Sequence, residues 1–450
     1  MAFEITEDLI EQLELLIGNG DDTAILVLLG EMHHADIAEI LDELSTEEAT
    51  YLIKLLDSSK TSEALMELDE DLRGELLENL SPQEIAEELN ELDTDDAVDF
   101  LSELDEEIQR QVIDSIEDEG HARDIVEMLR YDQNSAGGLM AKELVRVRET
   151  WTVAGCVRKM RIQAQQITRV HSVYVVDKKD HLIGRLSLKD LLTADTKAKI
   201  ADIYIPNVDA VNVHDTGEDV ARLMQKYDLE AVPVVSDTGL LLGRITIDDI
   251  VDFIREEAER DYQMAAGISE DVEANDSLWK LTRARLPWLF IGMFGGIGAA
   301  SIINGFSSIF VTFPKLLIFV PLIQATAGNV GVQSSAIVVQ GLANNSLKGH
   351  ILGRLLKESG LAAINGSAIA LVVLGISHFG FETSYLESIS IGIAIIAVIV
   401  IAALIGTFIP IILDKRGIDP AVATGPFITT SNDVFGILTY FLIAKLILGF

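Results

Sequence analysis

Cysteine is nearly absent from this 450-residue chain: it has one, Cys156. A single thiol excludes a disulfide framework and a thiolate metal centre. Its place in an apolar helical stretch marks it as a core residue. Basic residues are scarce too, 34 Lys and Arg against 72 Asp and Glu, for a formal net charge of −38. So acidic a chain repels nucleic acid and anionic headgroups and attracts cations. The deficit is uneven. From Lys280 onward there are ten basic and six acidic residues, whereas the part before it has 24 and 66, a net of −42. The opening MAFEITEDLIEQLELL is acidic and amphipathic, which is not the pattern of a signal peptide.

Residues 1–132 read as short helices stacked in an all-α superhelix, an acidic N-domain. Apolar residues recur at helical spacing in IAEILDEL (Ile37–Leu44), IAEELNEL (Ile85–Leu92) and AVDFLSEL (Ala97–Leu104). Cap-like residues precede such runs: Ser45 and Thr46, Ser81 with Pro82, and Thr94 before Asp95 and Asp96. His33 and His34 are adjacent, about 100° apart on a helix, so they do not converge on a metal and read as surface residues.

Residues 133–255 change to alternating β-branched runs, SVYVVD (Ser172–Asp177) and AVPVVSD (Ala231–Asp237). Each leads into a turn, a strand and a helix, HLIGRLSLKDLL and LLLGRITIDDIV. Gly184 and Gly243, Ser187 and Thr246, and Asp190 and Asp249 keep one register of 59 positions. This internal repeat resembles a tandem pair of cystathionine-β-synthase-type (CBS) modules, an α/β fold. Such pairs are regulatory and often bind adenine nucleotides. The resemblance makes Ser187, Asp190, Thr246 and Asp249 the candidate positions for ATP, hydroxyls near phosphate and carboxylates near ribose.

Residues 256–282 form an acidic connecting helix, and 283–450 a membrane domain. Five windows there are long and apolar enough to span a bilayer: 286–306, 316–347, 359–381, 388–413 and 420–444. The second is longer than a simple span needs and contains Pro321, so a bent or cavity-lining course is expected. Arg283, Arg285, Lys348, Arg354, Lys357, Lys415 and Arg416 fall on one side, Glu382 and Glu387 on the other. The positive-inside rule then makes the soluble part cytosolic and puts the C-terminus outside; the expected location is a bacterial inner membrane. Lys315 is the exception.

Asp433 sits in the middle of the last window, in GPFITTSNDVFGIL. An intramembrane carboxylate is costly unless it meets water or a cation. Lys445, twelve residues on, is about 18 Å away along a helix and makes no contact pair. Glu358, beside Lys357, reads as an interfacial residue. Around Asp433 stand hydroxyls and amides: Thr429, Thr430, Ser431 and Asn432, with Asn329, Gln333, Ser334 and Ser335 on the second span. Oxygen donors without thiolates suit Mg²⁺, Ca²⁺ or Mn²⁺ rather than Zn²⁺ or Cu²⁺.

The order of domains, with SAGGLM (135–140), PLIQATAGNVGVQSSA (321–336), KESG (357–360) and the run from Asp419 and Pro420 through Pro426 and Thr430 to Asp433 and Gly436, resembles the MgtE family of magnesium transporters. The resemblance spans essentially the whole chain. It implies a homodimer with a Mg²⁺ pore between second and fifth helices, Asp433 at the ion, and Asn329, Gln333, Thr430 and Asn432 lining the path. It also implies that cytosolic Mg²⁺ bridges acidic faces and closes the pore, with Asp95, Asp99, Asp248, Asp252, Glu256, Glu257 and Glu259 as sensor residues. Asp95 and Asp99, like Asp248 and Asp252, lie four apart on one helical face. The connecting stretch ERDYQMAAGISED is only loosely family-like.

An enzyme is not expected: an intramembrane aspartyl protease needs a second membrane Asp, and GVQSSA lacks the spacing of a serine protease. Two alternatives stay open, a proton-coupled divalent-cation carrier with Asp433 as proton site, and a channel gated mainly by adenine nucleotide.

Overall fold

The computed structural model describes residues 5–164, 167, 169–270, 272, 276–343, 347, 350–423 and 425–449. Lys348, one of the expected cytosolic charges, lies outside them. The chain divides into two compact units, Met1–Arg255 and Glu256–Phe450, and each is described by itself.

The first unit opens with α1 (Glu7–Asn19), α2 (Asp22–Leu29), α3 (His34–Glu43), α4 (Thr46–Leu55) and α5 (Ser58–Met66). It continues with α6 (Glu70–Leu77), α7 (Pro82–Leu89), α8 (Thr94–Ser102), α9 (Glu106–Ser115) and α10 (Glu119–Met128). Alternate helices pack, α3 on α5, α5 on α7 and α7 on α9, which is the expected superhelix. Side chains about one repeat apart join them: Thr46 to Glu75, Lys54 to Glu84 and Arg73 to Glu103. Ser45 and Ser81 form capping boxes with Glu48 and Glu84, and Pro82 takes the first helical position, where its missing N–H costs nothing. Thr94 does not cap: Asp93 occupies that place, and the Thr94 hydroxyl is turned elsewhere. His33 caps α3 through Nδ1, and His34 lies 3.3 Å from Glu63, so neither histidine faces the other's partner.

The repeat builds two small sheets. β1 (Val145–Arg148) runs parallel to β2 (Val173–Val176), which pairs antiparallel with β3 (Leu182–Leu186), and β4 (Ile205–Pro206) closes the edge. Between β1 and β2 lies α11 (Val153–Gln163), and α12 (Leu188–Thr193) follows β3. β5 (Val211–Asn212) is parallel to β6 (Ala231–Val235), with α13 (Gly217–Tyr227) between them, and β6 is antiparallel to β7 (Leu241–Thr246). The N-domain shares one apolar core with the second module, through Val220, Val232 and Ile245. The first module has its own, with Cys156 at its centre, and burial pushes that thiol up to about 11. An inert core cysteine is the result.

The unit boundary falls inside α14 (Ile247–Ala266). The connecting helix therefore begins as the last helix of the second module and ends sixteen residues earlier than expected. Gly267, at φ +84°, stops it, because that left-handed backbone is open to glycine and strained for other residues.

The second unit contains α15 (Leu278–Gly305), α16 (Ser307–Thr312), α17 (Val320–Ala343), α18 (Ile351–Gly375), α19 (Tyr385–Asp414) and α20 (Gly425–Leu448). Among the described residues, five helical segments are long and apolar enough to cross a membrane. Helix α19 is the most buried and packs on α17, α18 and α20, while α15 packs on α20. The long second window resolves into a 3-10 turn (Pro314–Phe319) and α17. Pro321 is the second residue of α17, at the opening turn where a missing donor is harmless, not at a mid-helix bend. Lys315 has a structural reason: its ammonium donates to the carbonyls of Phe381 (2.8 Å) and Glu382 (2.6 Å), capping the turn after α18.

Candidate cation sites

The first unit gathers its acid at the junction of the N-domain with the repeat. Asp93 and Asp95 flank the start of α8, and Glu143 lies in the segment before β1. One carboxylate oxygen from each lies within 4.8 Å of the others. The neighbouring bonds fix their places. Glu143 accepts from the Thr94 backbone N–H (3.1 Å) and hydroxyl (2.9 Å), and Lys142 N–H donates to that hydroxyl at 2.8 Å. Arg244 on β7 puts Nη2 3.2 Å from Asp93 and donates through Nε to the Glu143 carbonyl.

The electrostatics are those of a cation seat. Burial, then Asp96, Asp249, Asp93 and Glu143, holds the Asp95 carboxyl well above the usual range. Burial, then Asp249 and Asp93, pushes Asp96 up to about 8. Burial and Glu143 push Asp93 to about 6, against the pull of Arg244. Like charges forced together favour either a proton or a counter-ion. Two oxygens on opposite sides of one Mg²⁺ stand about 4.2 Å apart at ordinary bond lengths. The three oxygens are close enough together to share one cation, directly or through its waters. Only oxygens are offered, as Mg²⁺ prefers.

The expected sensor residues divide. Asp95 is 9% exposed and inside this group, whereas Asp99, four residues on, is exposed on α8. On α14 the carboxylate that acts on Asp95 and Asp96 is Asp249, not the expected Asp248. Asp249 accepts from the Thr246 N–H at 2.9 Å and from its hydroxyl, capping α14. Two of the candidate nucleotide positions, Thr246 and Asp249, are thus bonded to each other. Ser187 and Asp190 stay half-exposed at the start of α12, where no side-chain cap is made. Asp248 and Asp252 are exposed, the latter 3.9 Å from Arg255. Glu256 and Glu259 are exposed, and Glu257 pairs with Arg260 at 3.0 Å. Asp93, Asp96 and Glu143 were missed. Glu143 stands alone in sequence, far from the Asp93–Asp96 run.

In the membrane unit Asp433 is half-exposed on α20. Asn329 and Gln333, four apart on α17, are both exposed in the single chain. Amides in that position face water or another copy, since lipid gives them no partner. Thr430 and Asn432, expected beside them, each make a close contact with a glycine of a neighbouring helix. The Thr430 methyl fills the notch at Gly295 of α15, where an added Cβ would stand 1.8 Å from it. Asn432 is 1% exposed, pressed on Gly331 of α17. Helical phase explains the split: neighbours on α20 point about 100° apart, so not all of TTSND can face one path. Glu358, expected at the interface, accepts a 2.7 Å bond from Ser334 and ties α18 to α17.

The last helix is also held at its start. A Cβ at Gly425 would meet the Ala265 carbonyl oxygen at 2.0 Å, and one at Gly267 would meet Pro426 Cγ at 2.4 Å. The end of α14 thus rests on the first turn of the helix that bears Asp433.

Three family descriptions match in sequence. Residues 320–443 match "Divalent cation transporter", 32–134 match "MgtE intracellular N domain", and 136–197 with 200–256 match "CBS domain". The chain is similar to Magnesium transporter MgtE of Thermus thermophilus, 33% identical over 447 residues, 98% of this chain and 99% of that protein. It is 38% identical over 333 residues to Magnesium transporter MgtE of Enterococcus faecalis, covering 73% and 72% of the two chains. A crystal structure of the cytosolic domain of the Mg²⁺ channel MgtE in complex with ATP shares 35% identity with a TM-score of 0.52, over 54% of this chain and 99% of that one.

Proposed function

The chain belongs to the MgtE family of magnesium transporters, and from that premise we propose that it is a homodimeric Mg²⁺ channel that cytosolic Mg²⁺ closes. It is a transporter and not an enzyme, as its relatives' names state. In the proposed division, residues 1–132 and 133–255 are the sensor, 256–282 the connection and 283–450 the pore. The soluble part is cytosolic and the C-terminus outside, in the inner membrane.

The observation that carries the pore assignment is Asp433, a half-exposed carboxylate on a membrane helix, with the exposed amides of Asn329 and Gln333 on α17. In a symmetric dimer two such carboxylates meet a cation across the axis. A hydrated Mg²⁺ needs few direct ligands, and two carboxylates with amides around its waters supply them.

The closing signal starts at Asp93, Asp95 and Glu143, with Asp96 and Asp249 beside them. Without a cation these groups repel. Bound Mg²⁺ adds two positive charges and draws the N-domain onto the CBS pair. Asp99, Asp248, Asp252, Glu256, Glu257 and Glu259 are the outer sensor residues of this proposal. The contact of α14 with Gly425 and Pro426 is the route by which the connecting helix acts on α20.

Limited proteolysis of the full chain in nanodiscs across a Mg²⁺ titration, with K⁺ holding ionic strength constant, tests the sensor. Mg²⁺ is expected to protect the N-domain junction and the 252–266 stretch. Equal protection by K⁺ would reduce the acidic surface to a solubilising one. A second reading rests on Ser187 and Asp190, half-exposed at one helix start, and on the ATP of the related domain. Adenine nucleotide at the first CBS module tunes the Mg²⁺ response, and isothermal titration with and without ATP measures it.

A further inference from the structure

Gly331 of α17 lies where three membrane helices meet. On one side it faces α19: a Cβ at Gly406 would fall 2.3 Å from the Gly331 carbonyl oxygen. On the other it faces α20, where a Cβ at Gly331 would fall 1.7 Å from Nδ2 of Asn432 and 2.8 Å from Ile428. The Asn432 side chain thus occupies the space that any larger residue at 331 would need. Among the described residues its amide nitrogen and oxygen have no hydrogen-bond partner, although both are buried. Threonine has nearly the same volume and can return its hydroxyl bond to its own helix, without a buried unpartnered amide, so packing stability alone does not account for an asparagine here.

Asn432 directly precedes Asp433. On a helix consecutive side chains point about 100° apart, so whatever fixes one direction fixes the other. The α17 backbone is held against α19 through Gly331 and Gly406, and Asn432 is seated against that held backbone. We propose that Asn432 is a positioning residue: wedged against Gly331, it sets the rotation of α20 and thereby the bearing of the Asp433 carboxylate toward the conducted cation. This rests on the reading of Asp433 as the pore residue. The wedge is steric, so its role belongs to the matched pair of sizes, glycine at 331 and asparagine at 432. An ion site tolerates about 10–20° of misdirection before it loosens.

The test compares Asn432→Ala, Gly331→Ala and the double variant in proteoliposomes, reading half-saturation for Mg²⁺ and the ratio of Mg²⁺ to Ca²⁺ flux, with thermal midpoint and dimer content as folding controls. Asn432→Ala leaves a gap and Gly331→Ala a clash, and each is expected to weaken half-saturation by about tenfold or lower the flux ratio to that extent. In the double variant the new methyl at 331 takes space vacated by the amide, and recovery to within about threefold of the parent is expected. Asn432→Thr, which is not expected to lose its fold, keeps the measurement available if Gly331→Ala does not assemble. It is expected to hold the flux ratio near the parent's, because it preserves the wedge. Folded single variants with unchanged half-saturation and flux ratio would overturn the proposal, leaving Asn432 a packing residue. A folded double variant that does not recover, or a folded Asn432→Thr that loses the flux ratio, would overturn it too, because the amide itself would then be required. Asp433→Asn in the same vesicles separates the two levels. Parent-like flux from it removes the pore reading, whereas a dead Asp433→Asn beside parent-like wedge variants removes only the positioning role.

Discussion

Arg244 sets its Nη2 3.2 Å from Asp93 Oδ2, joining residues 151 positions apart in the chain. The guanidinium is 9% exposed and also donates to the Glu143 carbonyl, so it is the cationic clasp of an otherwise acidic junction. Removing one partner of a buried pair strands the other. Arg244→Met is expected to lower the stability of the N-domain junction by about 2–4 kcal/mol in EDTA. Added Mg²⁺ should recover more in this variant than in the parent, because it replaces the lost charge. Thermal unfolding with and without Mg²⁺ checks both effects. Equal Mg²⁺ shifts in variant and parent would count against the cation seat.

The raised carboxyls predict a pH dependence of definite sign. Asp96 and Asp93 bind protons more tightly folded than unfolded, near 8 and 6 against an ordinary 3.8. Their contribution is therefore full below about pH 4 and is lost as pH rises through the folded values. In EDTA the junction should loosen between about pH 6 and pH 8.5, read as falling protection of the α8 amides relative to their intrinsic exchange at each pH. Saturating Mg²⁺ should flatten the trend, since the ion replaces the proton. Protection that stays constant or rises over that interval in EDTA would contradict the assignment.

Asp433→Ala should remove tight ion occupancy of the pore while the protein stays folded and dimeric. A lone carboxylate at bilayer depth costs about 3 kcal/mol, so its loss is expected to raise the thermal midpoint slightly. Mg²⁺ flux and block by a larger hydrated cation, measured in vesicles, give the answer. Parent-like flux and block would exclude Asp433 as the ion residue.

Gly425→Ala tests the link from α14 to α20. A Cβ there would stand 2.0 Å from the Ala265 carbonyl, so the two segments must part. Closure by cytosolic Mg²⁺ is expected to weaken by about tenfold in midpoint, with little change in conduction by the open form. Patch recordings over a range of internal Mg²⁺ separate the two. An unchanged midpoint would show that this contact transmits nothing.

Much of the architecture was legible because its signals are local. The length and charge-poverty of a window mark a span whatever surrounds it, and the five spans follow from that. The CBS pair could be read from alternation and from the 59-residue register that Gly184 and Gly243 keep in β3 and β7. Asp433 stood out because a carboxylate in an apolar window has few explanations. The acidic junction was legible only in part. Periodicity showed that Asp95 and Asp99 share a face of α8, yet one is buried and the other exposed.

What the sequence by itself determined, then, is which stretches are helices, strands and spans, since each follows from neighbours within a few turns. What only the tertiary structure decided is which direction each face takes. Asp93, Asp95 and Glu143 converge because α8 is packed beside the segment before β1, with Arg244 reaching across. Asn432 turns inward while Asp433 does not because Gly331 leaves room for one side chain and not for the next. The end of the connecting helix at Gly267 depends likewise on a left-handed turn seated against Pro426. Helical phase relates residues on one element. The direction in which that element faces is set by packing against residues far away in the chain, and local pattern contains no term for it.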